Sequence, residues 1–254
     1  MHIWKIYLQC ISKASTSLLR SPAVIVGTLA LGLIFSILAP LLGFLGIVGS
    51  FIFGILTVLM LSTFYGWIRD LTSGEKIKFT VLLKLERDIF FAVIDVGFIL
   101  WLVNFIPRQL LMGINSNQLD SGPIFMSMGI FIAIAFNPVP EVIMSHGLQG
   151  ISALSYAFQF SKQRFFEWFI PFCICILPTI VASKEAAIMR IAQMNPIFPA
   201  SSFAASWGDR LDAVGVSGIL LTLALGLFIC WIMLFRLFLF QALDGRVARP
   251  RKAV

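Results

Sequence analysis

From Ser21 to Ile68 the chain runs for 48 residues without a formal charge. A helix that crosses a bilayer needs about 20 predominantly apolar residues, so this run accommodates two of them back to back. A soluble domain has too little interior to hide it. Composition agrees: hydrophobic types make up 59% of the 254 residues and charged types 12%, against about 25% charged in a soluble domain. The apolar runs do not alternate with period two, which excludes a membrane barrel. The expected fold class is therefore all-α: a polytopic membrane helix bundle forming one membrane domain over 1–254.

Six spans are predicted, at 22–39, 41–67, 89–106, 123–144, 165–183 and 214–240. Ala39-Pro40 separates the first two, since proline is disfavoured inside a helix, and predicts a tight hairpin there. Pro107-Arg108 closes the third span, and the polar stretch Gly113 to Gly122 leads to the fourth.

Of the 19 Lys and Arg residues, Arg108, Lys184, Arg190 and Arg210 fall on one side of this scheme and Arg236 lies within the sixth span. The other fourteen fall opposite. Basic residues mark the cytoplasmic side, so both termini are expected in the cytoplasm, with a bacterial inner membrane as the expected location. The formal charge of +7 sits beside apolar segments, where it suits anionic headgroups. The basic tail Arg246, Arg249, Arg251 and Lys252 lacks interleaved aromatics, so no nucleic-acid partner is expected.

The cytoplasmic connectors are amphipathic. In residues 1–20, Trp4, Tyr7, Leu8, Ile11 and Leu18 form an apolar stripe, with Lys5, Gln9, Ser12, Thr16 and Arg20 facing away. In 147–163, Ile151, Leu154 and Phe158 oppose Ser152, Ser155, Gln159 and Lys162; in 76–88, Phe79, Leu82 and Leu83 oppose Lys76, Lys84 and Arg87. Such spacing describes helices lying in the interface plane. Trp4, Lys5, Lys13, Arg20, Lys76, Lys84 and Lys162 are the expected lipid contacts. An interfacial helix followed by a membrane hairpin thus recurs over 1–67, 72–144 and 147–240. Placing Arg87–Ile94 over Lys162–Ile170 aligns Phe90-Phe91 with Phe165-Phe166.

The stretch PEVIMSHGLQGISALSYAFQFSKQRFFEWF, Pro140 to Phe169, carries a carboxylate and glycine after span four. A helix of small residues, a Ser-Lys pair and aromatics opening span five follow. With Glu141, Gly147, Gly150, Ala153, Ala157, Ser161, Lys162 and Phe165-Phe166 in those places, the chain resembles a loose superfamily of prokaryotic six-helix inner-membrane proteins. These are the YciC-like proteins and the membrane domains attached to glycerophosphodiester phosphodiesterases. The resemblance implies fold and topology. It implies no enzyme activity, because no phosphodiesterase domain is present. The linker over 183–213 departs from that pattern; its apolar Ile188, Met189, Ile191, Met194, Phe203 and Trp207 suit the membrane or a partner.

Few polar residues fall inside the spans. Glu141 follows Pro138 and Pro140 near the end of span four, with Asn137 beside it. Prolines kink a helix, and discontinuous helices form ion sites in some transporters. A kinked helix end with a carboxylate within reach of water or Lys162 is the leading reading, and an ion or proton site the rival. Asp95 in span three and Arg236 in span six sit at comparable depth. Buried membrane charges tend to pair, so an Asp95–Arg236 bridge is expected, with snorkelling of Arg236 as its rival. Gly43, Gly46 and Gly49 offer a small-residue ridge for helix packing.

No phosphate-binding loop, dinucleotide fingerprint or HExxH occurs, and His2 and His146 are the only histidines. Cys173 and Cys175 point apart on a helix and hold no shared metal. No catalytic residues, metal ligands or cofactor are expected, and the chain is not expected to be an enzyme. The expected function is that of a membrane subunit or scaffold binding lipids and other membrane proteins in a hetero-oligomeric assembly. The alternative is a transporter component for a lipid-like or small hydrophobic solute.

Overall fold

The computed structural model describes residues 3–77, 85–114, 122–171, 173 and 216–245. Among these the secondary structure is entirely helical. Eight helices are named here: α1 Ile3–Arg20, α2 Pro22–Gly43, α3 Gly46–Thr72, α4 Arg87–Ile114, α5 Gly122–Ala135, α6 Val139–His146, α7 Gly150–Gln163 and α8 Val216–Asp244. A further helical stretch covers 165–171. Helices dominate because lipid supplies no partner for backbone N–H and C=O groups, so each spanning segment must bond its own.

Among the described residues, four helical segments are long and apolar enough to cross a membrane: Gly46–Thr72, Arg87–Pro107, Pro123–His146 and Gly226–Asp244. Ile3–Arg20 and Pro22–Ile34 meet at 83° and make a fifth if the bent pair is taken as one span. The chain is thus a helical protein with the character of a multi-pass membrane protein. Most of the predicted fifth span lies outside the described residues, as do Lys84, the linker 183–213 and the basic tail.

The chain divides into two compact units, one of Met1–Phe90 with Phe203–Val254 and one of Phe91–Ser202. In the first unit α8 packs on α1, α2 and α3, and α2 runs against α3. Its core holds Tyr7, Cys10, Ala14 and Leu18 of α1, Phe64, Tyr65, Trp67 and Ile68 of α3, and Met233, Leu234, Leu237 and Phe240 of α8. Thr28 Oγ1 and Cys230 Sγ lie 2.9 Å apart, and a Cβ on Gly226 would meet Leu29 Cδ2 at 2.9 Å. The glycine therefore lets α8 approach α2 closely.

In the second unit α7 packs on α5 and α6. The core includes Val96 and Leu100 of α4, Ile132 and Ala133 of α5, Val139, Val142 and Ile143 of α6, and Ala153, Ala157 and Phe160 of α7.

Two expectations are corrected. Pro40 lies inside α2, and the turn to α3 comes at Phe44-Leu45, just before Gly46 with its φ of 57°. Ending α2 at residue 39 would leave carbonyls without partners in an apolar surround, whereas one turn later the tight bend Leu45 N–H to Leu42 O takes one of them up. Pro107 also lies inside its helix, since α4 continues to Ile114. Of the segment predicted as an interfacial helix over 76–88, residues 78–84 lie outside the described residues; Lys76, Ile77, Leu85 and Glu86 beside them are not helical, and Arg87 and Asp88 open α4. There the chain is held by the Arg69–Glu86 ion pair at 3.0 Å, and the Glu86 side chain lies over Gly66, where a Cβ would meet Glu86 Cγ at 2.8 Å.

Candidate functional site

Among the described residues, buried polar side chains gather where α5 gives way to α6, with Asn137, Glu141 and Ser161 all buried. Pro138 and Pro140 have no N–H to donate and disfavour the helix before them. α5 therefore stops at Ala135, and the chain makes one turn before α6 begins at Val139. The turn keeps its backbone paired. Phe136 N–H donates to Ile132 O, Asn137 N–H to Ile134 O, Val139 N–H to Phe136 O and Val142 N–H to Pro138 O. At the far end Gly147, with φ 64°, caps α6 in the left-handed conformation and its N–H donates to Ile143 O.

Side chains from the following segment lock the break. Asn137 Oδ1 accepts a hydrogen bond from Trp168 Nε1 at 3.0 Å in a buried setting. The Trp168 ring stands edge-on to Phe160 at 5.4 Å. Ser161 Oγ reaches Ile134 O at 3.5 Å. His146 and Tyr156 meet edge to face at 4.8 Å. Glu141 sits in the first turn of α6, where the positive end of the helix dipole favours a carboxylate. It is fully buried, at 0% exposure. The expected carboxylate within reach of water or Lys162 is therefore corrected: Lys162 is exposed, while Glu141 is enclosed between α6 and its surroundings.

Asp95 and Arg236 fall in different units. Asp95 is exposed on α4, and Arg236 is buried in α8. The glycines of the proposed ridge have three different settings. A Cβ on Gly49 would collide with the Leu42 carbonyl oxygen, Gly46 has the positive φ, and Gly43 faces open space. Gly43 ends α2, Gly46 opens α3 and Gly49 follows in its first turn, so these residues flank the bend and do not line up as one packing ridge.

The amphipathic α1 has three faces. Tyr7, Cys10, Ala14 and Leu18 are buried. Trp4, Leu8, Ile11 and Leu19 form an adjoining apolar stripe that is exposed, Trp4 at 59% and Leu8 at 65%. Lys5, Gln9, Ser12, Lys13, Thr16 and Arg20 complete a polar face. Ser15 Oγ accepts from Trp231 Nε1 at 3.0 Å, and Lys13 Nζ lies 6.0 Å from the centre of the Phe238 ring, a cation–π distance. Both contacts fasten α1 to α8. Burial pushes the Cys10 thiol above its usual range, partly offset by Lys13, so this cysteine stays protonated and unreactive near neutral pH.

α7 repeats the three-faced plan. Ala153, Leu154, Ala157, Phe160 and Ser161 are buried, Ile151 and Phe158 form an exposed apolar strip, and Ser152, Ser155, Gln159 and Lys162 are exposed polar residues. Each of these helices is joined to the next by one residue, Ser21 after α1 and Arg164 after α7. Lys76 is exposed in a non-helical stretch.

Sequence reasoning missed the Asn137–Trp168 and Ser15–Trp231 bonds. An indole N–H requires an acceptor when buried, which signals that a partner exists without saying where. Among the described residues, no three of His, Cys, Asp and Glu are grouped to hold a metal ion. No family model matches the chain, and no curated protein or solved structure matches it.

Proposed function

We propose that this chain is a non-enzymatic subunit or scaffold of a bacterial inner membrane. It has six spans and cytoplasmic termini and binds lipid headgroups and partner membrane proteins. The observation that carries the reading is the three-faced α1. One stripe is fixed on the bundle, one is apolar and exposed, and one is basic and polar. That is the arrangement of a helix lying at a bilayer surface, and its 83° angle to the apolar start of α2 is what a turn from surface to depth requires. α7 has the same plan, which supports a repeated unit of interfacial helix and membrane helix. Trp4, Lys5, Lys13, Arg20 and Lys162 are the proposed headgroup contacts. The likeness to YciC-like inner-membrane proteins belongs to the same proposal.

Native purification in a mild detergent tests it. A stoichiometric complex with other membrane proteins is the expected result, and recovery of the bare chain with lipid alone would overturn the scaffold role. Cysteine labelling around residue 80 from the cytoplasmic side tests the topology.

A second reading is favoured by one specific feature, the enclosed Glu141 and Asn137 (0% and 1% exposed) at a broken helix. Broken helices with buried polar groups serve transport in other membrane proteins. A reproducible bound solute that disappears in Glu141→Gln or Asp95→Asn protein would move the assignment to a transporter component.

A further inference from the structure

The outward side of α4 carries a ladder of large apolar residues, Phe91, Ile94, Phe98, Trp101 and Phe105, all exposed. Their spacing alternates three and four, the period that keeps one seam facing a second helix along its length. The rings form a continuous stack: Phe98 and Trp101 lie 6.0 Å apart and Trp101 and Phe105 lie 4.7 Å apart, with planes tilted by 24° and 17°. Lipid requires no such order of its neighbours, and apolar side chains there need only be apolar.

Asp95 stands against this ladder, four residues after Phe91 and three before Phe98, so it neighbours both on the helix surface. Eight residues beyond Arg87, it lies about 12 Å along the helix axis at 1.5 Å per residue; with Arg87, the first residue of the apolar segment Arg87–Pro107, at the membrane surface, that is well inside a hydrocarbon layer of about 30 Å. It is exposed. Its short side chain cannot reach the headgroups in the way a Lys or Arg can. Acidic side chains at such depth pair with basic ones or face a cavity.

We infer that this face of α4 docks a transmembrane helix of another protein carrying a Lys or Arg at the depth of Asp95. The inference rests on the scaffold reading above and names the partner's chemistry. A second copy of this chain fits poorly, because it would bring two Asp95 carboxylates together. A neutral apolar helix fits the ladder and leaves the carboxylate without a counter-charge.

The test uses the full chain in phosphatidylcholine vesicles with two fluorescent Leu/Ala peptides of transmembrane length. One carries a single Arg at the depth of Asp95 and the other a Leu in its place. Energy transfer from the protein should report binding of the Arg peptide about tenfold tighter than the Leu peptide. Asp95→Asn should remove that advantage and Asp95→Glu should keep it. Phe98→Ala with Trp101→Ala should weaken both peptides alike.

Equal binding of the two peptides, or an advantage that survives Asp95→Asn, overturns the inference. So does self-association of the protein through this face. An advantage that appears only in Arg236→Gln protein assigns the counter-charge to the chain itself and also overturns it. Native purification separates the two levels. A partner retained by both Asp95→Asn and the double aromatic variant leaves the scaffold reading standing and removes α4 as the docking face. Absence of any protein partner from the wild type removes the scaffold reading.

Discussion

Two stretches of this chain carry prolines within long apolar runs, and they behave in opposite ways. At Pro40 the helix continues to Gly43, and the proline is exposed. At Pro138 and Pro140 the helix breaks, with α5 ending at Ala135 and Pro140 in the first turn of α6, and both prolines are buried. The missing N–H is common to both. The surroundings differ: around 136–140 the freed groups are re-bonded by a tight turn, and the Asn137 side chain is held by Trp168 from another segment. Within apolar surroundings a proline breaks a helix where something else takes over the hydrogen bonding, and otherwise the helix tolerates it.

That contrast can be broken from several directions. Gly49→Ala should have the largest effect, because the added Cβ collides with the Leu42 carbonyl oxygen and the α2–α3 turn must open. A loss of about 3 kcal/mol is expected, read as a lower unfolding midpoint in mixed micelles, with Gly43→Ala as a near-neutral control. Asn137→Ala should cost about 2 kcal/mol by leaving the Trp168 N–H buried without its acceptor. A double-mutant cycle with Trp168→Phe would show the coupling; additive effects would mean the bond does not hold the break. Gly147→Ala, at φ 64°, should cost about 1 kcal/mol in the same assay. Pro40→Ala should change least, stabilising by no more than about 1 kcal/mol through one recovered hydrogen bond. A loss of stability there would show that Pro40 shapes the turn after all.

Much of the architecture was legible because apolar length is a strong signal. The start of α2 at Pro22, the α1 and α7 helices and the place of α8 all follow from charge-free runs and 3.6-residue spacing. The turn comes about four residues beyond Pro40 because local proline chemistry yields to the cost of unpaired carbonyls in an apolar medium. Nothing in the spacing of the 76–88 connector points to the Arg69–Glu86 ion pair, which joins residues seventeen positions apart. The candidate site was half legible. Asn137, Pro138, Pro140 and Glu141 announced a break, but full burial of Glu141 depends on how α6 packs, and the Trp168 bond spans thirty-one positions. Asp95 stood out from its depth alone, and only the fold shows that it borders an exposed aromatic ladder.

The single residue between α1 and α2 makes the pair a crank. Ser21 leaves no slack to absorb a rotation, and α1, eighteen residues long, extends about 27 Å from that pivot. A change of about 10° in the tilt of α2, of the kind a thicker or thinner bilayer imposes, would swing the free end of α1 by about 5 Å at that arm length. The grip of Ser15 on Trp231 prevents α1 from swinging alone. Strain applied to α2 is thereby handed to α8.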